Sequence, residues 1–423
     1  MSLLARRPIM KWNPIANQAP GACRLQSGSA RLKLGKLMEK ARKRLDEPVL
    51  FSEQGAGRYR VGVVTLNTPE TLNALDLRML QLIADRLGAW REQADIACVA
   101  LQSRSERAFS AGGDVKSLIF GLGREPGLDF ARGYFTYEYF VDYFIHVYPK
   151  PVLCWADGIT MGGGIGIMNG ASHRVVTERT LMAMPEITIG FFPDVGATYF
   201  LNRLPRRLGL FLGLTGARFD GRDAVAIGMA DGLVGADKKA EFFAALIGLP
   251  WTGAPEKDRD LLSRHLTTYS GTGAAEDSTL LRRLDRIREL TDREGIDEID
   301  AAFRASPTQD PWLRNALHGY CGGSPTSAGV IFRQLTRGEN LPLREAFRRE
   351  WDMAINLCAR PDFYEGVRAR LLDRDNRPRW RPVDLREVKT EDIERCFTAP
   401  NPDPHPLYRM MEQAGPAEVQ RGR

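Results

Sequence analysis

Two carboxylates eight residues apart, Glu186 and Asp194, stand in an otherwise apolar run: Met184-Pro185-Glu186-Ile187-Thr188-Ile189-Gly190-Phe191-Phe192-Pro193-Asp194-Val195-Gly196. Apolar surroundings raise a carboxyl pKa toward values useful for acid–base work. Gly190 and Pro193 lie between the two acids, which argues against one continuous helix and for a loop that brings both to one pocket. Two glycine-bearing stretches precede this run, Arg107-Ala108-Phe109-Ser110-Ala111-Gly112-Gly113-Asp114 and Met161-Gly162-Gly163-Gly164-Ile165-Gly166. Small residues there let the backbone approach a ligand. Where the second stretch opens a helix, its free N–H groups face an anion or a polarised carbonyl, and two such donors form an oxyanion hole. Each feature taken singly has a plainer reading. A glycine turn after a strand is more often only a tight connection, Glu186 suits a helix cap, and Asp194 after Pro193 suits a turn or cap.

The elements around these stretches read as α/β. Arg60-Val61-Gly62-Val63-Val64-Thr65-Leu66 is short and β-branched, as a buried strand should be. From Asp76, Leu77, Leu80, Ile83, Ala84, Leu87 and Trp90 recur at helical intervals, and Ile96 to Gln102 is the next strand. Strand, helix, strand in that order generates a parallel pair through a crossover. Val152 to Trp155 and Arg174 to Thr177 are further strands, and the aromatic-rich segment Phe130 to Val147 predicts a long, mostly core helix. Past about residue 240 the strand signals fade. Charged helical segments such as Leu280 to Leu290 and Leu343 to Asn356 take over, with a break at Gly322-Gly323-Ser324-Pro325. The expected organisation is a basic leader over 1–48, an α/β core over 49–240 and a mostly helical region over 241–423.

The chain has 423 residues, 43% apolar and 26% charged, and a net charge of +6. That charge belongs to the leader: residues 1–44 hold eleven Lys or Arg and one acid, Glu39, leaving 48 basic against 52 acidic residues in the rest. A nucleic-acid-binding face on the folded body is therefore not expected. The leader reads as a mitochondrial transit peptide, a disordered tail or a start misplaced ahead of Met38. The compartment is then the mitochondrial matrix in the first case, and the cytoplasm if the chain is bacterial. No stretch has the length and apolarity of a membrane span, and the N-terminus lacks a secretory block, so no membrane partner is expected. Cys23, Cys98, Cys154, Cys321, Cys358 and Cys396 are scattered without paired spacing, and the five histidines are isolated, so neither disulfides nor a metal site is expected.

Ala111-Gly112-Gly113-Asp114, then Asp157-Gly158-Ile159-Thr160-Met161-Gly162-Gly163-Gly164, then Met184-Pro185-Glu186, resembles the signature of the crotonase superfamily in order and spacing. The resemblance implies a layered spiral of ββα repeats that binds acyl-coenzyme A, with the Gly113 and Gly163 N–H groups on the thioester oxygen. The CoA belongs to the substrate, and no separate cofactor is implied. Enoyl-CoA hydratases of this superfamily carry a first glutamate three residues beyond the oxyanion-hole glycine, where this chain has Gly166. Gly190-Phe191-Phe192-Pro193-Asp194-Val195-Gly196 is instead similar to the 3-hydroxyisobutyryl-CoA hydrolases, in which this aspartate joins the glutamate matched by Glu186. Glu138 matches a third, substrate-binding acid of that group. Glu365-Gly366-Val367-Arg368-Ala369, Asp373-Arg374-Asp375 and Pro378-Arg379-Trp380 resemble its C-terminal extension. Glu70 departs from the pattern, since many crotonases carry a basic residue there.

The resemblance thus implies hydrolysis of a short 3-hydroxyacyl-CoA thioester, a step of branched-chain (valine) catabolism, with Glu186 and Asp194 catalytic and Glu138, Gly163, Glu186 and Asp194 binding substrate. Whether Glu186 attacks directly or activates water is open, as is assembly into a homo-oligomer. The alternatives are an enoyl-CoA hydratase or isomerase and a non-catalytic CoA-binding protein. A dinucleotide site at Gly164-Ile165-Gly166, with Glu186 some twenty residues on, is disfavoured because Asn169 takes the third glycine position.

Overall fold

A computed structural model of the chain describes residues 47–55, 57–123, 127–271, 278–400 and 405–414. Residues 1–46 of the basic leader, and with them the compartment readings, fall outside the described residues. The strands are β1 (Val49–Gln54), β2 (Arg60–Leu66), β3 (Ile96–Ser103), β4 (Ala108–Ser110), β5 (Val152–Ala156), β6 (Ile159–Met161), β7 (His173–Val176), β8 (Leu181–Ala183), β9 (Phe219–Asp220) and β10 (Gly232–Leu233). They form a six-stranded sheet in the order β1-β2-β3-β5-β7-β10 and a four-stranded sheet in the order β4-β6-β8-β9. β1 is antiparallel to β2 and β9 to β8, and the remaining pairs are parallel. From β3 to β8 the chain lays one strand in the larger sheet and the next in the smaller, then crosses over through helix. This is the ββα spiral that the resemblance implies. A doubly wound open sheet with a nucleotide crevice at Gly164 is excluded, because the strands flanking that position alternate between two sheets.

Burial explains the larger sheet. Every residue of β3 except Gln102 is buried, as expected for a parallel strand covered on both faces. On one face lies the Leu77–Glu92 helix, capped by Asp76, whose side chain accepts the Met79 N–H at 2.8 Å. A Cβ on Gly62 would stand 2.8 Å from the Trp90 ring, so the bare glycine lets the indole lie on the sheet. The other face packs Val61, Cys98 and Trp155 against Phe242, Leu262 and Leu266 from the Lys239–Ile247 and Pro255–Tyr269 helices. The expected aromatic helix is present as Gly127–His146.

Beyond β10 the described elements are helical. The change near residue 240 is one of element type, since the chain from Glu47 onward forms one compact unit. The Leu343–Cys358 helix lies along Gly127–His146, where Phe347 meets Tyr139, Tyr143 and His146 and the Trp351 indole donates to Thr136 Oγ1 at 3.0 Å. The extension's charged motifs serve its own folding: Arg368 pairs with Glu365, Asp373 and Asp375, and the Trp380 indole donates to the Gly322 carbonyl.

Candidate active site

Three of the four strands of the smaller sheet, β4, β6 and β8, each deliver one of the loops singled out above. β4 ends in Ala111-Gly112-Gly113, with Gly112 at φ +99°. This turn is braced from behind by Leu72-Asn73-Ala74-Leu75. Asn73 Nδ2 donates to Ser103 Oγ and to the Ala108 and Phe109 carbonyls, Leu75 N–H donates to the Gly112 carbonyl, and Asp114 N–H donates to the Leu75 carbonyl. β6 runs into Gly162, the N-cap of the Gly163–Gly170 helix, whose φ of +48° and ψ of −123° suit glycine alone. Among the described residues, neither the Gly113 nor the Gly163 amide N–H donates to a backbone carbonyl. The two loops touch: a Cβ on Gly163 would stand 3.3 Å from the Gly113 nitrogen.

β8 leads through Met184-Pro185 into a 3-10 turn, Glu186–Ile189, that ends in left-handed Gly190. The expected loop between the two acids is present. A Cβ on Gly162 would lie 2.9 Å from Glu186 Oε1, so the Glu186 carboxyl faces the start of the glycine helix, and its Oε2 is buried with no hydrogen-bond partner among the described residues. The turn is pressed by the extension. Gly190 abuts the Asp362 backbone, Gly366 abuts Ile189, a Cβ on Gly323 would stand 2.7 Å from Ile187 Cγ1, and Ser324 N–H donates to the Ile187 carbonyl at 3.0 Å. Phe191, between the two acids in the chain, is stacked on Phe135 and packed on Phe192 and Phe363.

Asp194 and Glu138 join Glu186 from two other directions. The Tyr139 hydroxyl donates to Asp194 Oδ2 at 2.7 Å. Glu138 lies beside both glycines, with its Oε1 at 3.0 Å from a Cβ on Gly113 and 2.8 Å from one on Gly163, and it accepts from Tyr134 at 3.2 Å. All three acids are buried: Glu138 is 3%, Asp194 6% and Glu186 7% exposed. Burial pushes each carboxyl up. Asp194 rises to about 7, with the Tyr139 hydrogen bond opposing the rise. Glu186 and Glu138 are driven well above the usual carboxylate range by burial and then by Asp194. The five residues expected to form the site are therefore gathered in one place.

Sequence reasoning missed further members. Asp142, one helical turn beyond Glu138, is 1% exposed, and neither of its oxygens has a partner among the described residues. A Cβ on Gly166 would fall 2.8 Å from Asp142 Oδ2 and 2.6 Å from Val195 Cβ, so a carboxyl and a valine fill the space at the side-chain-free position. Burial, then Glu138, Asp194 and Glu350, push Asp142 well up. The spacing of Tyr134, Glu138 and Asp142, four residues apart each time, was the available signal for a polar stripe on an aromatic helix. Tyr139 read only as core.

Comparison with known proteins adds the following. The family model for enoyl-CoA hydratase/isomerase matches residues 61–397. The chain is 38% identical over 352 residues to the mitochondrial 3-hydroxyisobutyryl-CoA hydrolase of Gallus gallus, an alignment covering 82% of this chain and 88% of that protein. It is 34% identical over 361 residues to the human mitochondrial protein of the same name, covering 83% and 88%. Among solved structures, a carnitinyl-CoA dehydratase from Mycobacterium thermoresistibile aligns with a TM-score of 0.75 at 35% identity, covering 85% of this chain and 98% of that one. An enoyl-CoA hydratase from Rhodobacter sphaeroides 2.4.1 aligns with a TM-score of 0.73 at 33% identity, covering 84% and 98%.

Proposed function

Because the chain belongs to the enoyl-CoA hydratase/isomerase family, we propose that it is an acyl-CoA thioester hydrolase acting on short 3-hydroxyacyl-CoA substrates of the 3-hydroxyisobutyryl type, the activity its curated relatives are named for. One observation carries the reading: two backbone amides without carbonyl partners and the Glu186 carboxyl converge on the start of the Gly163–Gly170 helix. That is the arrangement an acyl transfer needs.

In the water-activating route, Glu186 takes a proton from water and the resulting hydroxide adds to the thioester carbon. The carbonyl electron pair moves onto oxygen, which accepts hydrogen bonds from the Gly113 and Gly163 N–H groups. Collapse breaks the carbon–sulfur bond, and the CoA thiolate recovers the proton from Glu186. In the direct route Glu186 itself adds to the carbon, CoA leaves, and water hydrolyses the resulting anhydride. Thiols are far more acidic than alcohols, so the leaving group asks for little protonation and one carboxylate suffices to drive attack. Asp194 is left to orient the 3-hydroxyl or the water, and Glu138 to hold the acyl group beside the two glycines. Phe191, between the two acids in the chain, packs against Phe135 and Phe363 and contributes an apolar cluster next to them in sequence. None of these steps calls on a cofactor beyond the CoA of the substrate. For the compartment, the mitochondrial names of the relatives favour the matrix if residues 1–44 act as a transit peptide.

Release of free CoA across a panel of acyl-CoAs tests the proposal, with 3-hydroxyisobutyryl- and 3-hydroxypropionyl-CoA expected among the substrates and Glu186→Gln inactive on all. One observation favours a second reading. Asp142 brings a carboxyl to the space beside Gly166, near where hydratases carry their first glutamate, and the two structural neighbours are named as a dehydratase and a hydratase. Rapid hydration of crotonyl-CoA with every 3-hydroxyacyl thioester left intact would replace the hydrolase reading by that one.

A further inference from the structure

We propose that Glu350 and Gln334, both in the helical extension, are positioning residues that hold Asp194 in its working orientation by clamping the backbone on either side of it. The proposal rests on the reading of Asp194 given above. It starts from the local backbone. Val195 adopts φ +54° and Gly196 φ +90°. A left-handed conformation suits glycine but is costly for a β-branched valine, and such strain persists only where the surroundings over-determine it.

The surroundings here come from far along the chain. Gln334, in the Pro325–Arg337 helix, donates its Nε2 to the Pro193 carbonyl at 2.7 Å and to Thr198 Oγ1 at 2.8 Å. Glu350, in the Leu343–Cys358 helix, accepts the Gly196 N–H on Oε2 at 2.6 Å and the Thr198 N–H on Oε1 at 2.7 Å. Both side chains are buried, Glu350 completely. The carbonyl before Asp194 and the amide after Val195 are thus both fixed, and the two-residue segment between them has no freedom left. Tyr139 then sets the carboxyl itself.

This is more than a helix cap. The Ala197–Phe200 helix has glycine at its N-cap and so supplies no side-chain acceptor of its own. Glu350 supplies it from 154 residues away, each oxygen accepting one N–H, and these two hydrogen bonds oppose the burial that pushes its carboxyl up to about 8. Val195, held by the same clamp, brings its Cβ against the Gly166 position beside Asp142, so the clamp also shapes the wall of the site.

The test is a double-mutant cycle. Glu350→Gln leaves one N–H without an acceptor, and Gln334→Ala is a milder variant should the first fold poorly. In otherwise wild-type protein each lowers kcat for 3-hydroxyacyl-CoA hydrolysis by on the order of 10- to 100-fold, the scale of a small misplacement. In an Asp194→Asn background the same changes lower it less than about twofold, because the group they position is already gone. A purely structural role would lower kcat by equal factors in both backgrounds. Equal factors, or no effect from either variant, would overturn the clamp. Crystal structures of the folded variants give an arm independent of turnover: Val195 is expected to leave the left-handed region, and an unmoved Pro193–Thr198 segment refutes the proposal whatever the substrate. Absence of CoA release by wild-type protein would instead overturn the hydrolase reading, leaving the structural arm to decide the clamp.

Discussion

Replacing Asp194 by Asn should change the pH dependence of CoA release in a direction that the burial of the acids dictates. In the wild type Asp194 titrates near 7, and its charge is the second cause, after burial, that pushes Glu186 up. As the pH rises, the first charge to enter this pocket opposes the second, and the apparent values belong to the pair. Asn keeps the shape and removes the charge. Glu186 then ionises at lower pH, so the acid limb of the kcat/KM profile moves down. The plateau should fall on the order of 10²-fold, about 2.7 kcal/mol on the barrier. That loss is in line with the Tyr139–Asp194 hydrogen bond of 2.7 Å, a contact to a charged group of roughly 1.5–3 kcal/mol that no longer fixes a carboxylate. The assay is thiol release from a 3-hydroxyacyl-CoA between about pH 5 and 9. An acid limb that stays in place or moves up would refute the coupling of the two carboxylates.

Other outcomes follow from the same geometry. Replacing the Gly163 peptide by an ester, which removes the N–H and adds no atoms, should cost about 10²- to 10³-fold in kcat. Gly163→Pro is a poorer test, because any Cβ there meets Glu138 Oε1 at 2.8 Å. Gly166→Ala should lower stability by about 1–3 kcal/mol through overpacking against Asp142 and Val195, read as a lower melting temperature. Asp142, raised in the folded state, is neutral there at a pH where the unfolded chain has already ionised it, so its contribution to stability is full below its unfolded pKa and is lost as the pH rises toward the folded value. Asp142→Asn should therefore flatten the fall in stability above about pH 4, as measured by denaturant melts across pH.

The strands that the sequence reveals, β2, β3, β5 and β7, are those of the larger sheet, where burial on both faces demands β-branched, apolar runs. β4, β6 and β8 are three residues each, too short for any alternation to show, yet they carry the loops of the site. Glu186 and Asp194 were legible because Gly190 and Pro193 break the helix between them. Tyr139 was not, because it stands off the Tyr134–Glu138–Asp142 stripe in a run of aromatics where one hydroxyl does not stand out. Glu350 lies among arginines in a segment that reads as a solvated surface, and no local pattern announces a partner 154 residues away.

The turn that carries Glu186 meets the extension backbone to backbone at Gly190 against Asp362 and Gly366 against Ile189, and its Ile187 side chain fits against the bare Gly323. Contacts with a bare glycine on one side leave little slack for one partner to drift while the other stays. A chimera joining the first 240 residues of this chain to the extension of a relative would have to reproduce the depth of all three notches at once, since even an alanine in one would lift the turn and tilt Glu186. The two halves of the chain are therefore not interchangeable parts, and a minimal enzyme made by cutting at the last strand would lack the floor on which its principal carboxylate rests.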